Sequence, residues 1–230
     1  KAREVLQGGG IDIDLSAGRL PFMSMAEGTL AGCPVRLFRI TFSGELGFEI
    51  ATPAVFGQQL WDAIREAGAP HGIMPYGTEA LHVMRAEKGF IMIGDETDGT
   101  VTPQDLGLSW AVSKKKDDFI GKRAQARSDL TRPDRKQLVG LLTEEPGKVL
   151  PDGAHAVREL REAGRPMETI GHVTSTYFSP TLGRSIAMAL IAGGRERMGE
   201  VLKFPLEDGA VIRAEVVDPV FYDKEGARNV

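Results

Sequence analysis

The hydrophobic period of the chain changes once, near residue 136, and that change limits the folds open to it. Before it, apolar residues recur at helical spacing: Phe56, Leu60 and Ile64 share one face of a segment, and Leu81, His82 and Met84 point inward from another. After it come short runs of strand length, at 137–142, 154–158, 170–178, 185–192, 200–204 and 210–217, parted by Gly, Pro and Asp turns. Strands at that spacing predict a small antiparallel barrel or sandwich. The polar stretch 128–136, interrupted by Pro133, lies between the two regimes. It predicts a domain boundary, with domains at 1–131 and 132–230 and an α+β class overall.

The first part also carries one strand signal. From Leu37 to Ser43 the sequence alternates, with Phe38, Ile40 and Phe42 on one face and Arg39, Thr41 and Ser43 on the other. Gly44 to Gly47 then reads as a turn, and Phe48, Glu49 and Ile50 resume the pattern, as a hairpin or a bulged continuation. Thr52 and Pro53 predict a helix start by capping and by the preset φ of proline, and Gly68 its end. A second helix is expected from Thr78 to Lys88, with Gly89 as its left-handed terminator, and a short third one at Gly121 to Ala126.

Composition bounds the partners. A chain of 230 residues with 42% apolar content can build one large core or two ordinary ones. The formal charge of −4 gives no electrostatic reason to expect nucleic acid or an anionic membrane. Cys33 is the only cysteine, which rules out an internal disulfide and any multi-cysteine metal site and fits a reducing compartment, so a cytoplasmic location is expected. No apolar run approaches the roughly 20 residues that span a bilayer. The chain opens at Lys1 inside what reads as a helical turn, Lys1 to Gln7, and is expected to be a piece of a longer polypeptide.

Three features resemble binding sites but read as plainer things. Gly8 to Gly10 lacks a preceding strand and a Lys-Ser/Thr ending, so it is a turn and not a phosphate loop. His71, His82, His155 and His172 have no short-range ligand spacing, and no metal is expected. Asp95 to Gly99 lacks the oxygen-ligand alternation of a calcium loop and reads as an exposed turn. By composition alone Arg85, Glu87 and Lys88 are the solvated face of a helix end.

Context changes that last reading. The Gly44 to Glu49 hairpin, the Met84 to Gly89 helix end and the Phe119 to Lys122 tract occur in the order found in the glycine cleavage T-protein family. Gly171 to Ser175 and Ser179 to Leu182 are similar to the signatures of that family's C-terminal barrel. The likeness spans nearly the whole chain. Within it, Tyr76 to His82, Thr97 to Gly107 and Trp110 to Lys116 most resemble the sarcosine oxidase alpha-subunit branch. The fold this implies is the remainder of a folate-binding α+β domain followed by an antiparallel β-barrel.

The resemblance also implies a reaction. A one-carbon unit from oxidised sarcosine would pass to tetrahydrofolate, giving 5,10-methylenetetrahydrofolate, glycine and hydrogen peroxide. Flavin and NAD would belong to other parts of the parent enzyme, and the partners would be the other subunits and the preceding part of the alpha subunit. Alternatives are a stand-alone aminomethyltransferase, a dimethylglycine-oxidising relative, or a non-catalytic folate-binding scaffold. The family's catalytic aspartate would lie upstream of Lys1, so no catalytic residue is assigned and the piece alone is expected to be inactive.

For folate itself the resemblance implies Glu87 as the carboxylate that accepts the two adjacent donors of the pterin. It implies Lys116, in the cluster Lys114 to Lys116, as the cation facing the folate carboxylates, where relatives carry arginine. Tyr177 and Tyr222 are open to two readings, stacking on the ligand or packing in the core. Arg85 and Glu45 are expected to support the site, Arg85 by pairing with Glu45 or Glu49.

Overall fold

The computed structural model describes residues 1–162 and 165–229. By its contacts the chain divides into two compact units, one of Lys1–Met84 with residues 225–229 and one of Arg85–Lys224.

The first unit begins with helix α1 (Ala2–Gly8) and an antiparallel sheet of β1 (Ser24–Leu30), β2 (Cys33–Arg39) and β3 (Glu49–Ala51), in that order. β2 and β3 pair antiparallel from Arg36 opposite Ala51 to Phe38 opposite Glu49, so the Gly44 to Gly47 turn does close a hairpin. The strand lies earlier than its alternation suggested, and its buried face is the odd one: Cys33, Val35, Leu37 and Arg39. Leu37 and Val35 pack with Leu6, Leu15, Leu20 and Leu30, so that face became the core and Phe38 stayed half-buried. Helix α2 (Gly57–Gly68) closes this core with Leu60, flanked by Phe56 and Ile64. Thr52 does not cap it; its hydroxyl donates to the Pro34 carbonyl at 2.8 Å, and a short 3-10 turn intervenes.

The division between units falls within helix α3 (Thr78–Glu87), after Met84, and a short helix α4 (Lys122–Gln125) follows later. The second unit is built on six strands, β4 (Lys136–Thr143), β5 (His155–Val157), β6 (Thr169–Ser179), β7 (Arg184–Ala192), β8 (Val201–Pro205) and β9 (Val211–Val217). They close into an antiparallel barrel in the order β4-β7-β6-β5-β8-β9, with β9 back on β4. Every predicted strand of the second half is present. Closure leaves no open sheet edge, and Val139, Leu141, Phe204, Ile212 and Val216 fill the interior.

Strand β7 explains why residues 85–108 belong with the barrel. Ala187, Ala189 and Ile191 face the barrel interior, whereas Ile186, Met188 and Leu190 face outward and pack with Ala86, Leu106 and Leu138. A strand buried on both faces reads as a continuous apolar run, which is what 186–192 shows. The segment before β4 covers the outer face of β7, so the compact unit that holds the barrel begins at Arg85.

Candidate functional site

The end of α3 is where charge is concentrated in the second unit. Arg85, Glu87 and Lys88 were the solvated face by composition; instead they are 0%, 4% and 6% exposed. Burial of three charges at one helix end requires partners.

Gly89 sets the geometry. Its φ is +66°, and its amide donates to the Ala86 carbonyl, while Phe90 N donates to Arg85 O, which ends the helix tightly. A Cβ at Gly89 would lie 2.6 Å from the Pro219 carbonyl oxygen. That close approach lets the amides of Phe221 and Tyr222 both donate to the Glu87 carbonyl, at 3.0 and 2.9 Å. Lys88 reaches the same segment, pairing with Asp223 Oδ2 at 3.0 Å.

The Glu87 carboxylate is held by the end of β6. Ser179 Oγ donates to Oε1 at 2.5 Å and Thr181 Oγ1 to Oε2 at 3.1 Å, while Leu182 N donates to Ser179 Oγ. Arg85 turns the other way. It donates to Glu96 Oε2 at 2.8 Å, to Asp95 at 3.3 Å and to Ser175 Oγ at 2.6 Å, with Tyr177's ring 5.9 Å from its guanidinium carbon. The expected partner was Glu45 or Glu49. Glu45 pairs with Arg228 instead, and the guanidinium of Arg85 sits where Glu96 supplies the countercharge.

Glu96 is the residue that sequence reasoning missed. Read as part of an exposed turn, it is fully buried, and besides Arg85 it accepts from Met92 N, Thr174 Oγ1 and Ser175 Oγ. Two consecutive strand residues can face one carboxylate only if the pleat is broken. A bulge does this: the β6–β7 register passes from Val173 opposite Ala189 to Ser175 opposite Met188, leaving Thr174 without an opposite residue. The bulge was not legible, although Gly171 to Ser175 and Ser179 to Leu182 had stood out as signatures. Each signature supplies a hydroxyl pair to a carboxylate beside α3.

Lys114, Lys115 and Lys116 are all exposed. Tyr177 is half-buried at the margin of the outer apolar cluster, and Tyr222 is half-buried beside the Glu87 carbonyl. Nearby, Asp105 accepts from Arg135 at 2.7 Å and from Thr102. Burial alone would raise its pKa, but the bonds from Arg135 and Thr102 outweigh that and hold it below the ordinary carboxylate value. His172 stands opposite His155 across β5 and β6, with ring centroids 6.2 Å apart. Burial first, then Lys136 and His155, lower its pKa. Among the described residues no group of three or more His, Cys, Asp and Glu could hold a metal ion, and no helix is long and apolar enough to cross a membrane.

The sequence has relatives across its length. It is 48% identical to the sarcosine oxidase subunit alpha of Corynebacterium sp. (strain U-96) and 43% identical to that of Rhizobium meliloti (strain 1021), each over 99% of this chain. It spans only 24% and 23% of those two proteins. An aminomethyltransferase of Streptomyces avermitilis is 37% identical over 78% of the chain and 46% of its own length. The crystal structure of glycine cleavage system aminomethyltransferase T from Bartonella henselae superposes with a TM-score of 0.78 at 27% identity, covering 96% of this chain and 56% of that one. The family model for the GCVT N-terminal domain matches residues 1–116, and that for the glycine cleavage T-protein C-terminal barrel domain matches residues 136–223. With both halves matched in order, and a closed barrel in the second, the chain belongs to the glycine cleavage T-protein, or aminomethyltransferase, family.

Proposed function

We propose that the chain is the folate-accepting part of a sarcosine oxidase alpha subunit. It would receive the one-carbon unit of oxidised sarcosine onto tetrahydrofolate, with 5,10-methylenetetrahydrofolate, glycine and hydrogen peroxide as products. The observation that carries this reading is the 48% identity over 99% of the chain to a sarcosine oxidase subunit alpha, against 37% over 78% for an aminomethyltransferase. Flavin and NAD would then be held elsewhere in the parent enzyme, which would work with other subunits, in the cytoplasm.

Tetrahydrofolate, when bound, would supply the nitrogen nucleophile; the chain's own residues would hold and orient it. Glu87 is the proposed pterin acceptor. An ionised carboxylate offers about four lone-pair sites. Ser179 and Thr181 use two, which leaves two for the adjacent donors of a pterin edge and fixes the carboxylate's orientation. Lys116 is proposed to face the ligand's carboxylates, and Tyr177 and Tyr222 to flank its rings. A specific observation favours a second role for Glu87: at 4% exposure, with both oxygens engaged, it also locks α3 to the barrel.

Tetrahydrofolate titration and product analysis test the reading. With sarcosine and tetrahydrofolate supplied to the assembled enzyme, methylenetetrahydrofolate should form in step with hydrogen peroxide, and free formaldehyde should fall. Charge-assisted bonds contribute about 1.5 to 3 kcal/mol each, so Glu87→Gln should weaken folate binding roughly tenfold to a hundredfold. Formaldehyde release unaffected by tetrahydrofolate would defeat the functional assignment; unchanged affinity in a folded Glu87→Gln protein would defeat the residue assignment alone.

A further inference from the structure

The four histidines stand at 71, 82, 155 and 172, and no short motif joins any two of them. Antiparallel pairing of β5 with β6 makes neighbours of two: His155 stands directly opposite His172 in the register. Opposite residues share a face of the sheet, with Cβ atoms about 4.5 to 5.5 Å apart. Ala156 and Val173, the next residue on each strand, belong to the barrel core, so the two imidazoles project from the outer surface. Their ring centroids lie 6.2 Å apart, with the planes tilted by 53°.

That spacing suits an ordinary contact between two rings, but three further features favour a pair of ligands. Two imidazole nitrogens about 2.0 to 2.1 Å from one metal ion put the ring centres about 5 to 6 Å apart, so a small rotation of the exposed His155 closes the difference. The backbone is already fixed, since Val173 N donates to the Ala154 carbonyl at 2.9 Å and no loop has to be ordered. Burial, Lys136 and His155 favour the neutral His172 ring, which is the form that ligates, while Asp98 and Asp152 lie near enough to favour an added positive charge.

We propose that His155 and His172 form a two-histidine site for a divalent transition-metal ion, with water completing the coordination. The class of ion follows from the donors: imidazole nitrogen suits Zn²⁺, Ni²⁺ and Cu²⁺, whereas Mg²⁺ and Ca²⁺ take oxygen. Bound there, the ion ties β5 to β6. With three residues β5 is the shortest of the six barrel strands, and among the described residues its register with β8 is the single pair Val157 and Lys203. The clamp acts where the ladder of the barrel is thinnest. The inference is independent of the folate reading, since neither histidine belongs to that site.

Calorimetric titration of the full chain with Ni²⁺ or Cu²⁺ near neutral pH tests it. Cu²⁺ should bind more tightly than Ni²⁺, and Mg²⁺ should not bind. At an ion concentration about a hundredfold above the dissociation constant, Tm should rise by roughly 5 °C. His155→Gln, at an exposed position, and His172→Gln should each weaken binding by about tenfold or more. His71→Gln should bind as the parent does, because His71 lies in the other compact unit, beside Glu4. Absence of binding, unchanged affinity in a folded His155→Gln protein, loss of the site in His71→Gln, or an equal response to Mg²⁺ would overturn the proposal.

Discussion

The hydroxyl of Ser179 donates to Oε1 of Glu87 at 2.5 Å, joining the end of β6 to the end of α3 across 92 positions of sequence. Thr181 does the same for the other oxygen, so Ser179→Ala leaves the carboxylate half satisfied and also frees Leu182 N. A lost bond to a buried charged group costs about 1 to 3 kcal/mol. Urea unfolding of Ser179→Ala and Glu87→Ala, singly and combined, should therefore show a coupling energy of that order. Additive single effects would mean that the two side chains do not stabilise the fold through each other.

The pair formed by Arg85 and Glu96 should be more sensitive still. Both side chains are fully buried, so Glu96→Ala strands a guanidinium in the apolar cluster beside Met188, and we expect a loss of about 3 to 5 kcal/mol. Asp95, whose side chain is 42% exposed, contacts the same arginine; Asp95→Ala should cost under about 1 kcal/mol. Equal losses at the two positions would show that burial does not govern this network.

Asp105 makes stability depend on acid. Its pKa lies below the reference value of 3.8 because Arg135 and Thr102 favour the charged form by more than burial opposes it. The stability it contributes is present above the unfolded value and is lost as pH falls through the folded one. Asp105→Asn should thus destabilise the protein at pH 7 and progressively less as pH falls below 3.8, measured by thermal melts across that range. A penalty independent of pH would assign the effect to shape and not to charge.

His172 works in the opposite protonation state. Burial, Lys136 and His155 lower its pKa from 6.5, so the folded state favours the neutral ring and protonation opposes folding. Stability should fall as pH drops below 6.5 and level off once pH is below the folded value. His172→Gln should flatten that part of the stability curve, and a curve of unchanged shape would place the titrating group elsewhere.

Much of the fold can be read from residue order. The six barrel strands follow from alternation and turn chemistry, because closing a barrel asks each strand only for one apolar face and a turn at each end. Helix α3 and its end at Gly89 are equally local, since the left-handed residue is a property of that one position. The phase of β2 is different. Either face of an alternating strand can be the core, and Arg39 lies inside because Leu37, Val35 and Cys33 meet Leu6, Leu15 and Leu30. No local pattern carries that choice.

The sequence by itself determined the family, the barrel and the chain segments that carry its signatures, because those rest on periodicity, turn residues and short motifs. Only the tertiary structure decided what the charged residues do. Arg85, Glu87, Glu96 and Arg39 read as surface or turn residues along the chain; burial and a partner many positions away turn each into a buried, hydrogen-bonded charge. The reason is physical: a charge can leave water only where folding brings it polar partners, and those partners here come from a strand bulge, a strand end and the chain's tail.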